Sequence, residues 1–196
     1  MYRAYVVGAS LLMICLSFGQ AVAGLDLVGL YFDEGGEEHC RQDGIYESID
    51  IFLIIKNPSV TSGVGGWQGT LAVDSGIILT DTFLYGDALN LGVGENYLVG
   101  LGEPMLQTDL VVLARFTVFP VYGGGGRFNA LDGGEFARPV YLSGDAVPQF
   151  IPLYNEFGAG SSPSLTIGLV DCPEENGSGA VNESEHFWGG IKCIYR

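Results

Sequence analysis

The stretch LVVLARFTVF, residues 110–119, decides the fold class of this chain. Its two faces are Leu113, Arg115 and Thr117 against Ala114, Phe116 and Val118. This alternation has the period of two that is typical of a β-strand, and the run is rich in β-branched and aromatic residues. Pro120 ends the run, because proline cannot donate to a strand ladder. The sequence therefore predicts a long strand at this position.

Similar β-forming runs lie on both sides of this stretch. They are Leu25–Phe32, Ile49–Lys56, Gly65–Val73, Ile77–Leu79, Tyr97–Gly102, Phe136–Leu142, Gln149–Leu153 and Ser164–Val170. Turn-forming residues separate them, and no amphipathic helix of three turns precedes residue 186. Gly123–Gly126 is interpreted as a flexible link. The pattern predicts an all-β fold, an antiparallel β-sandwich or jelly roll.

The first 23 residues have the pattern of a cleaved secretory signal peptide. Arg3 is followed by an apolar run from Val6 to Leu16 and then by the small-residue triplet Ala21-Val22-Ala23. The apolar run is shorter than the ~20 residues that a membrane span needs. We therefore expect cleavage between Ala23 and Gly24, no membrane span in the mature chain, and an extracellular or periplasmic location.

The remaining chain divides into three parts by composition. Residues 24–171 are predicted to form the β-sandwich domain, residues 172–186 a polar acidic linker, and residues 187–196 an apolar and basic tail. Within the tail, Trp188, Ile191 and Tyr195 are spaced for one face of a short helix. The tail either docks back on the domain, as an edge strand or a single turn, or serves as a sorting or attachment tag.

Charge and cysteine content limit the partners and the compartment. The formal net charge of −15 argues against nucleic acid and anionic membranes, and it is compatible with cationic partners. Three cysteines remain after the predicted cleavage: Cys40, Cys172 and Cys193. Because first and last strands often lie near each other in a sandwich, we predict a disulfide between Cys40 and Cys172. Cys193 is then left free or bridges elsewhere.

The sequence contains few signals for catalysis. The G-x-S-x-G, H-E-x-x-H and P-loop motifs are absent, so we predict a protein that is not an enzyme. Asp50 and Asp74 are the two acids that a carboxylate-based hydrolase would use here, although turn-capping or solvated acids are the favoured interpretation. The acid-rich turn Asp33–Glu38 offers oxygen ligands for calcium. No cofactor is predicted.

Trp67, together with the tyrosines, could form an aromatic platform for a sugar ligand. It shares a face with Leu71 and Val73 in the predicted strand Gly65–Val73. An exposed tryptophan there could stack on a sugar, whereas its apolar neighbours favour a place in the core.

The segments Ile51–Asn57, Gly65–Val73 and Val112–Val118 together resemble cohesin-like and carbohydrate-binding-like β-sandwich modules of secreted bacterial proteins. This resemblance implies a non-catalytic binding role. The first hypothesis is thus a secreted module that binds an extracellular protein or polysaccharide, or associates with the cell envelope. The alternatives are an assembly component that docks through residues 187–196 and a carboxylate-based hydrolase.

Overall fold

The computed structural model describes residues 24–156 and 165–168. In chain order the strands are β1 Leu27–Tyr31, β2 Cys40–Arg41, β3 Ile49–Lys56, β4 Val64–Val73, β5 Ile77–Leu84, β6 Ala88–Asn90, β7 Asn96–Met105, β8 Leu110–Pro120, β9 Gly124–Asn129, β10 Val140–Ser143, β11 Phe150–Pro152, β12 Tyr154–Asn155 and β13 Leu165–Ile167. These described residues contain no helix, and so none that could cross a membrane. The predicted all-β fold is confirmed.

The first sheet, sheet A, has the strand order β12-β1-β3-β8-β5. Its centre is the antiparallel pair of β3 and β8, which runs from Ile49 opposite Val118 to Lys56 opposite Leu110. The two most strongly β-forming segments of the sequence therefore pair with each other. β5 forms one edge of this sheet, and the short β12 forms the other edge, parallel to β1.

The second sheet, sheet B, is built around β4. β7 pairs with one side of β4, and β6 pairs with β7. β9 and β10 lie end to end along the other side, since residues 70–73 of β4 pair with β9 and residues 64–68 pair with β10. Residues 130–139 connect β9 to β10 and do not pair with β4. Farther out, β11 pairs with β10, β13 pairs with β9, and β2 pairs with β13 in parallel.

The main core lies between the two sheets and is centred on aromatic rings. The indole of Trp67 stacks on Tyr97 with ring centroids 5.6 Å apart, and it meets the edge of Phe128 at 5.8 Å. Tyr97 in turn contacts Phe116 of sheet A at 5.3 Å. Such pairs add about 0.5–1.5 kcal/mol each beyond the burial of their area. These contacts join the two sheets through their inner faces.

The outer face of sheet A carries a smaller apolar cluster that the chain itself covers. Tyr31, Phe52 and Ile54 point away from the main core, yet they are only 1%, 9% and 0% exposed. The loop after β1 folds over Ile54, because a Cβ placed on Gly36 would lie 3.5 Å from Cδ1 of Ile54, and Nζ of Lys56 lies 4.4 Å from the ring centroid of Tyr31. Gly36 has φ +70°, a left-handed conformation that glycine adopts without strain.

The structure refines two details of the predicted fold. Gly123–Gly126 is not a flexible link, because residues from Gly124 onward form β9. Because glycine has no side chain, the backbone packs closely against Asp74 there: a Cβ on Gly124 would lie 3.1 Å from Cβ of Asp74. The sandwich is also not purely antiparallel, since the short marginal strands β2 and β12 each pair in parallel with a neighbour.

Candidate functional site

The outer face of sheet B carries a row of apolar residues whose two end members, Leu89 and Phe150, are 65% and 51% exposed. The strand register aligns Leu89 of β6, Gly100 of β7, Gly66 of β4, Leu142 of β10 and Phe150 of β11 in one row. Paired residues in neighbouring strands point to the same side of a sheet. Trp67, Tyr97, Val99 and Tyr141 alternate with this row and are buried in the core. The row must therefore face outward.

A second row extends the apolar surface. Leu98 lies two residues before Gly100 and thus shares its side of the sheet. The N–H of Leu91 donates to the carbonyl of Leu98 at 2.9 Å, which places Leu91 beside it. We call this surface the leucine face, and its members are Leu89, Leu91, Leu98, Gly100, Leu142 and Phe150.

Much of the leucine face is exposed to solvent, and its surface is recessed at Gly100, which has no side chain. Leu89 and Leu91 are 65% and 67% exposed, and Leu98 is 40% exposed. Gly100 is exposed, and a Cβ placed on it would meet nothing within 4 Å. The backbone between Leu89 and Leu142 spans three strand spacings, or roughly 14 Å, but Leu142 leans over Gly66, where an added Cβ would lie 3.2 Å from its Cδ1. The open part of the floor is therefore centred on Gly100 and can accept apolar side chains of a partner.

Acidic and polar groups border the leucine face. The side chain of Asp87 lies against Gly102, which is on the same side of β7 as Leu98. On the opposite flank, the N–H of Asp132 donates to the hydroxyl of Thr70 at 3.2 Å, and both Asp87 and Asp132 are exposed. An apolar surface with carboxylates at its margins suits a partner that is apolar in the middle and basic at the edge.

A buried polar contact supports the leucine face from below. The hydroxyl of Tyr141 in β10 donates to Oδ2 of Asp26 at 2.8 Å, and Asp26 is only 5% exposed. The same carboxylate accepts the N–H and the hydroxyl of Ser59, each at 2.9 Å. Burial, together with the hydrogen bond to Asp26, raises the pKa of Tyr141 to about 12. This contact links sheet B to the segment that leads into β1.

The structure places Trp67 in the core, where the sequence favoured it. Its side chain is 1% exposed and is enclosed by Tyr97 and Phe128. A buried indole has no face to offer a sugar, so the alternative role of Trp67 as a ligand contact is withdrawn. The alternation with Leu71 was the signal that indicated this burial.

Asp50 and Asp74 each have a structural partner. Oδ1 of Asp50 accepts a hydrogen bond from the hydroxyl of Thr117 at 2.7 Å, and Oδ2 lies 3.8 Å from Nη1 of Arg115. Oδ2 of Asp74 accepts the N–H of Gly125 at 2.7 Å, which ties the end of β4 to β9. The two acids belong to different sheets, and their contacts fit ion pairing and turn capping rather than a catalytic pair.

In the acid-rich turn Asp33–Glu38, the carboxylate of Asp33 accepts hydrogen bonds from the backbone. Asp33 accepts the N–H groups of Glu37 and Glu38, with distances of 3.0 and 2.6 Å to Oδ1. Across residues 24–156 and 165–168, no group of three or more His, Cys, Asp or Glu side chains could hold a metal ion. Calcium binding at this turn therefore gains no support from the described geometry.

Several predicted residues fall outside the described part of the chain. They are Ala23 at the predicted cleavage site, Cys172, and the tail residues Trp188, Ile191 and Tyr195. Gly24 is the first described residue and is exposed. Cys40 begins β2, where it pairs with Thr166 of β13. Cys172 follows a few residues after this strand, and the disulfide stays a prediction.

Comparisons with known proteins place the fold but not the family. No protein-family model matches the chain, and no curated protein does. Among solved structures, the chain is similar to the sixth cohesin of scaffoldin B from Acetivibrio cellulolyticus, which was crystallised in complex with a Cel5 dockerin mutant. The TM-score is 0.51 at 7% identity, over 75% of this chain and 100% of that one. This match shows a cohesin-like β-sandwich and agrees with the resemblance seen in the sequence.

Two further cohesins have lower scores. The seventh ScaB type I cohesin from Pseudobacteroides cellulosolvens has a TM-score of 0.49 at 12% identity, over 79% of this chain and 98% of that one. A non-cellulosomal cohesin from Archaeoglobus fulgidus has a TM-score of 0.41 at 11% identity, over 84% and 98%. The conclusion about the fold rests on the Acetivibrio structure.

Proposed function

We propose that this chain is a non-catalytic module that binds a protein partner through the leucine face. The observation that carries the proposal is the exposure of Leu89, Leu91 and Leu98 on one continuous sheet surface. A contiguous exposed apolar patch with a polar border is typical of an interaction site. The acids considered for catalysis, Asp50 and Asp74, are engaged in structural contacts.

The chemistry of the surface favours a protein over a polysaccharide. Sugar-binding platforms stack rings on exposed aromatic side chains, whereas the leucine face is mainly aliphatic. The similar Acetivibrio cohesin is itself described in complex with a protein, a dockerin. We infer a partner that places an apolar segment, such as one face of a helix, on the floor above Gly100.

The partner should also be basic at its margins. The chain carries a formal net charge of −15, and Asp87 and Asp132 border the leucine face. Opposite charge on the partner would speed association and orient docking, and this contribution would weaken with added salt. If the predicted signal peptide is cleaved, the partner is an extracellular or envelope protein.

Differential capture tests the proposal. The full chain is immobilised beside its Leu98→Asp variant, and each is exposed to the secreted and envelope proteins of its host. Ile78→Asp is the matched control, because Ile78 is a 51% exposed aliphatic residue on the outer face of sheet A. A protein captured by the wild type and by Ile78→Asp, but not by Leu98→Asp, is then purified for calorimetry.

We expect Leu98→Asp to weaken binding of the purified partner by about tenfold or more, because burying an unpaired carboxylate against an apolar partner costs over about 1.4 kcal/mol. Equal binding by the two aspartate variants would contradict docking on the leucine face. Retention of the chain on insoluble polysaccharide, with no protein present, would contradict the choice of partner.

A further inference from the structure

The tail of this chain complements the leucine face in apolar content and in charge. Residues 187–196 contain Trp188, Ile191 and Tyr195 at the spacing of one helical face, together with Lys192, Arg196 and no acidic residue. We propose that this tail docks on the leucine face of its own chain and competes there with the partner. This inference rests on the proposed function, because it assigns a second occupant to the same surface.

The apolar part of the match follows from the floor of the face. Gly100 leaves a gap between the exposed side chain of Leu89 and Leu142. A short helix that lays Trp188 and Ile191 into this gap would remove water from the leucines on both sides. Burial of such side chains yields about 25 cal/mol per Å² of apolar area.

The charges agree with this placement. The chain contains only eight lysine and arginine residues in total, and two of them lie in the tail. The face is bordered by Asp87 and Asp132, both exposed. Tail cations at these margins would pair with carboxylates, whereas the second copy of a chain with net charge −15 would be repelled as a whole.

The length of the chain permits docking within one molecule. Gly168, the last described residue, directly follows β13, and residues 169–186 lie between it and the tail. β13 pairs with β9, β9 with β4, and β4 with β7, so three strand spacings, or roughly 14 Å, separate β13 from β7. A random-coil chain of 18 residues would have a root-mean-square span of roughly 24 Å. With the predicted bridge between Cys40 and Cys172, residues 173–186 would span roughly 21 Å from β2, which lies four strand spacings, or roughly 19 Å, from β7. The tail therefore reaches the face at a high effective concentration.

A partner must then displace the tail before it binds. Its apparent affinity is reduced by the fraction of molecules in which the tail occupies the face. A partner with more contact area or more basic groups than the tail gains access, and weakly matching proteins do not. Docking of the tail would raise the selectivity of the leucine face and keep its leucines covered in the absence of a partner.

The fluorescence of Trp188 reports directly on this docking. The full chain contains two tryptophans, and Trp67 is only 1% exposed in the core. Quenching of the full chain by acrylamide is measured beside Trp188→Phe, which isolates the contribution of Trp67. The reference for an undocked tail is a synthetic peptide of residues 187–196 that carries Cys193→Ser.

We expect Trp188 to be quenched several-fold less in the full chain than in the peptide, independently of protein concentration. Leu98→Asp should restore quenching to the level of the peptide, and the control Ile78→Asp should not. Three results would overturn the inference: peptide-like quenching in the wild type, protection that survives Leu98→Asp, or protection that grows with protein concentration.

The outcome is separable from the test of the proposed function. Deleting residues 187–196 removes none of the described residues, and it should strengthen capture of the purified partner. If Trp188 is freely quenched while Leu98→Asp still abolishes capture, only the tail inference fails. If Trp188 is protected and capture is unaffected by Leu98→Asp, the tail docks but the leucine face is not the partner site.

Discussion

The outer faces of the two sheets differ in where their apolar side chains are exposed. On sheet A, Tyr31, Phe52 and Ile54 are at most 9% exposed, whereas Ile78 and Phe83 of the edge strand β5 are each 51% exposed. On sheet B, Leu89 and Leu98 are 65% and 40% exposed. The chain thus covers the apolar cluster of β1 and β3 on sheet A and leaves the apolar side chains of β6 and β7 on sheet B open.

The largest expected effect concerns how the far margin of sheet B is held. Cys40→Ala should lower the free energy of unfolding by up to about 5 kcal/mol, because the predicted bridge to Cys172 closes a loop of over a hundred residues. Urea denaturation without reductant measures the loss. Cys172→Ser should lose as much, and Cys193→Ser should lose little. A large loss with Cys193→Ser would show that Cys40 pairs with Cys193 instead.

The covered face provides the next effect in size. Ile54→Ala should lower the free energy of unfolding by about 2–5 kcal/mol, because it leaves a cavity beneath the loop that contains Gly36. Urea denaturation of the variant and of the wild type measures it. A loss below about 0.5 kcal/mol, as is usual for surface sites, would mean that the loop does not cover this face in solution.

The contact beneath the leucine face should contribute less. Tyr141→Phe should cost about 1.5–3 kcal/mol at neutral pH, because it removes a hydrogen bond to the buried carboxylate of Asp26. Urea denaturation at neutral pH measures this loss. A cost near zero would show that water satisfies the carboxylate equally well.

The same contact predicts a dependence on alkaline pH. The pKa of Tyr141 is raised in the folded protein to about 12 by burial and by Asp26, so the folded state retains the proton more strongly than the unfolded state. Its contribution to stability is complete below about pH 10, the unfolded value, and is lost as the pH rises to about 12. Denaturation over this range should show a decline that Tyr141→Phe reduces.

The smallest effect is expected on the open face. Leu98→Asp should lower the free energy of unfolding by about 1 kcal/mol, because the side chain is 40% exposed and aspartate is disfavoured in a strand. Thermal denaturation checks this. A larger loss would mean that Leu98 is packed in solution, which would also weaken its use as a binding variant.

The sequence predicted the inner structure better than the outer surface. The segments 49–56 and 110–119 were predicted as strands and form β3 and β8, because long β-branched runs have few alternatives. The core role of Trp67 was likewise favoured by its alternation with Leu71. Local pattern carries this information, since burial on one side produces it directly.

The leucine face was missed for a physical reason. β6 is only three residues long, and Leu89 has no local feature that separates an outward from an inward leucine. That distinction depends on which strand pairs with it, and so on tertiary structure. The prediction for Gly124 was wrong for a similar reason. The run of glycines suggested a flexible link, whereas close packing against Asp74 makes Gly124 part of a strand.

The end-to-end arrangement of β9 and β10 has a consequence for protein engineering. Both strands extend along the same side of β4, so residues 130–139 form a loop that leaves the ladder and returns to the same line. Most of these residues are exposed. Insertions or grafted peptides at this loop should leave the register of both strands intact. The loop is thus a natural place to vary in length, and a convenient attachment point for a label near one margin of the leucine face.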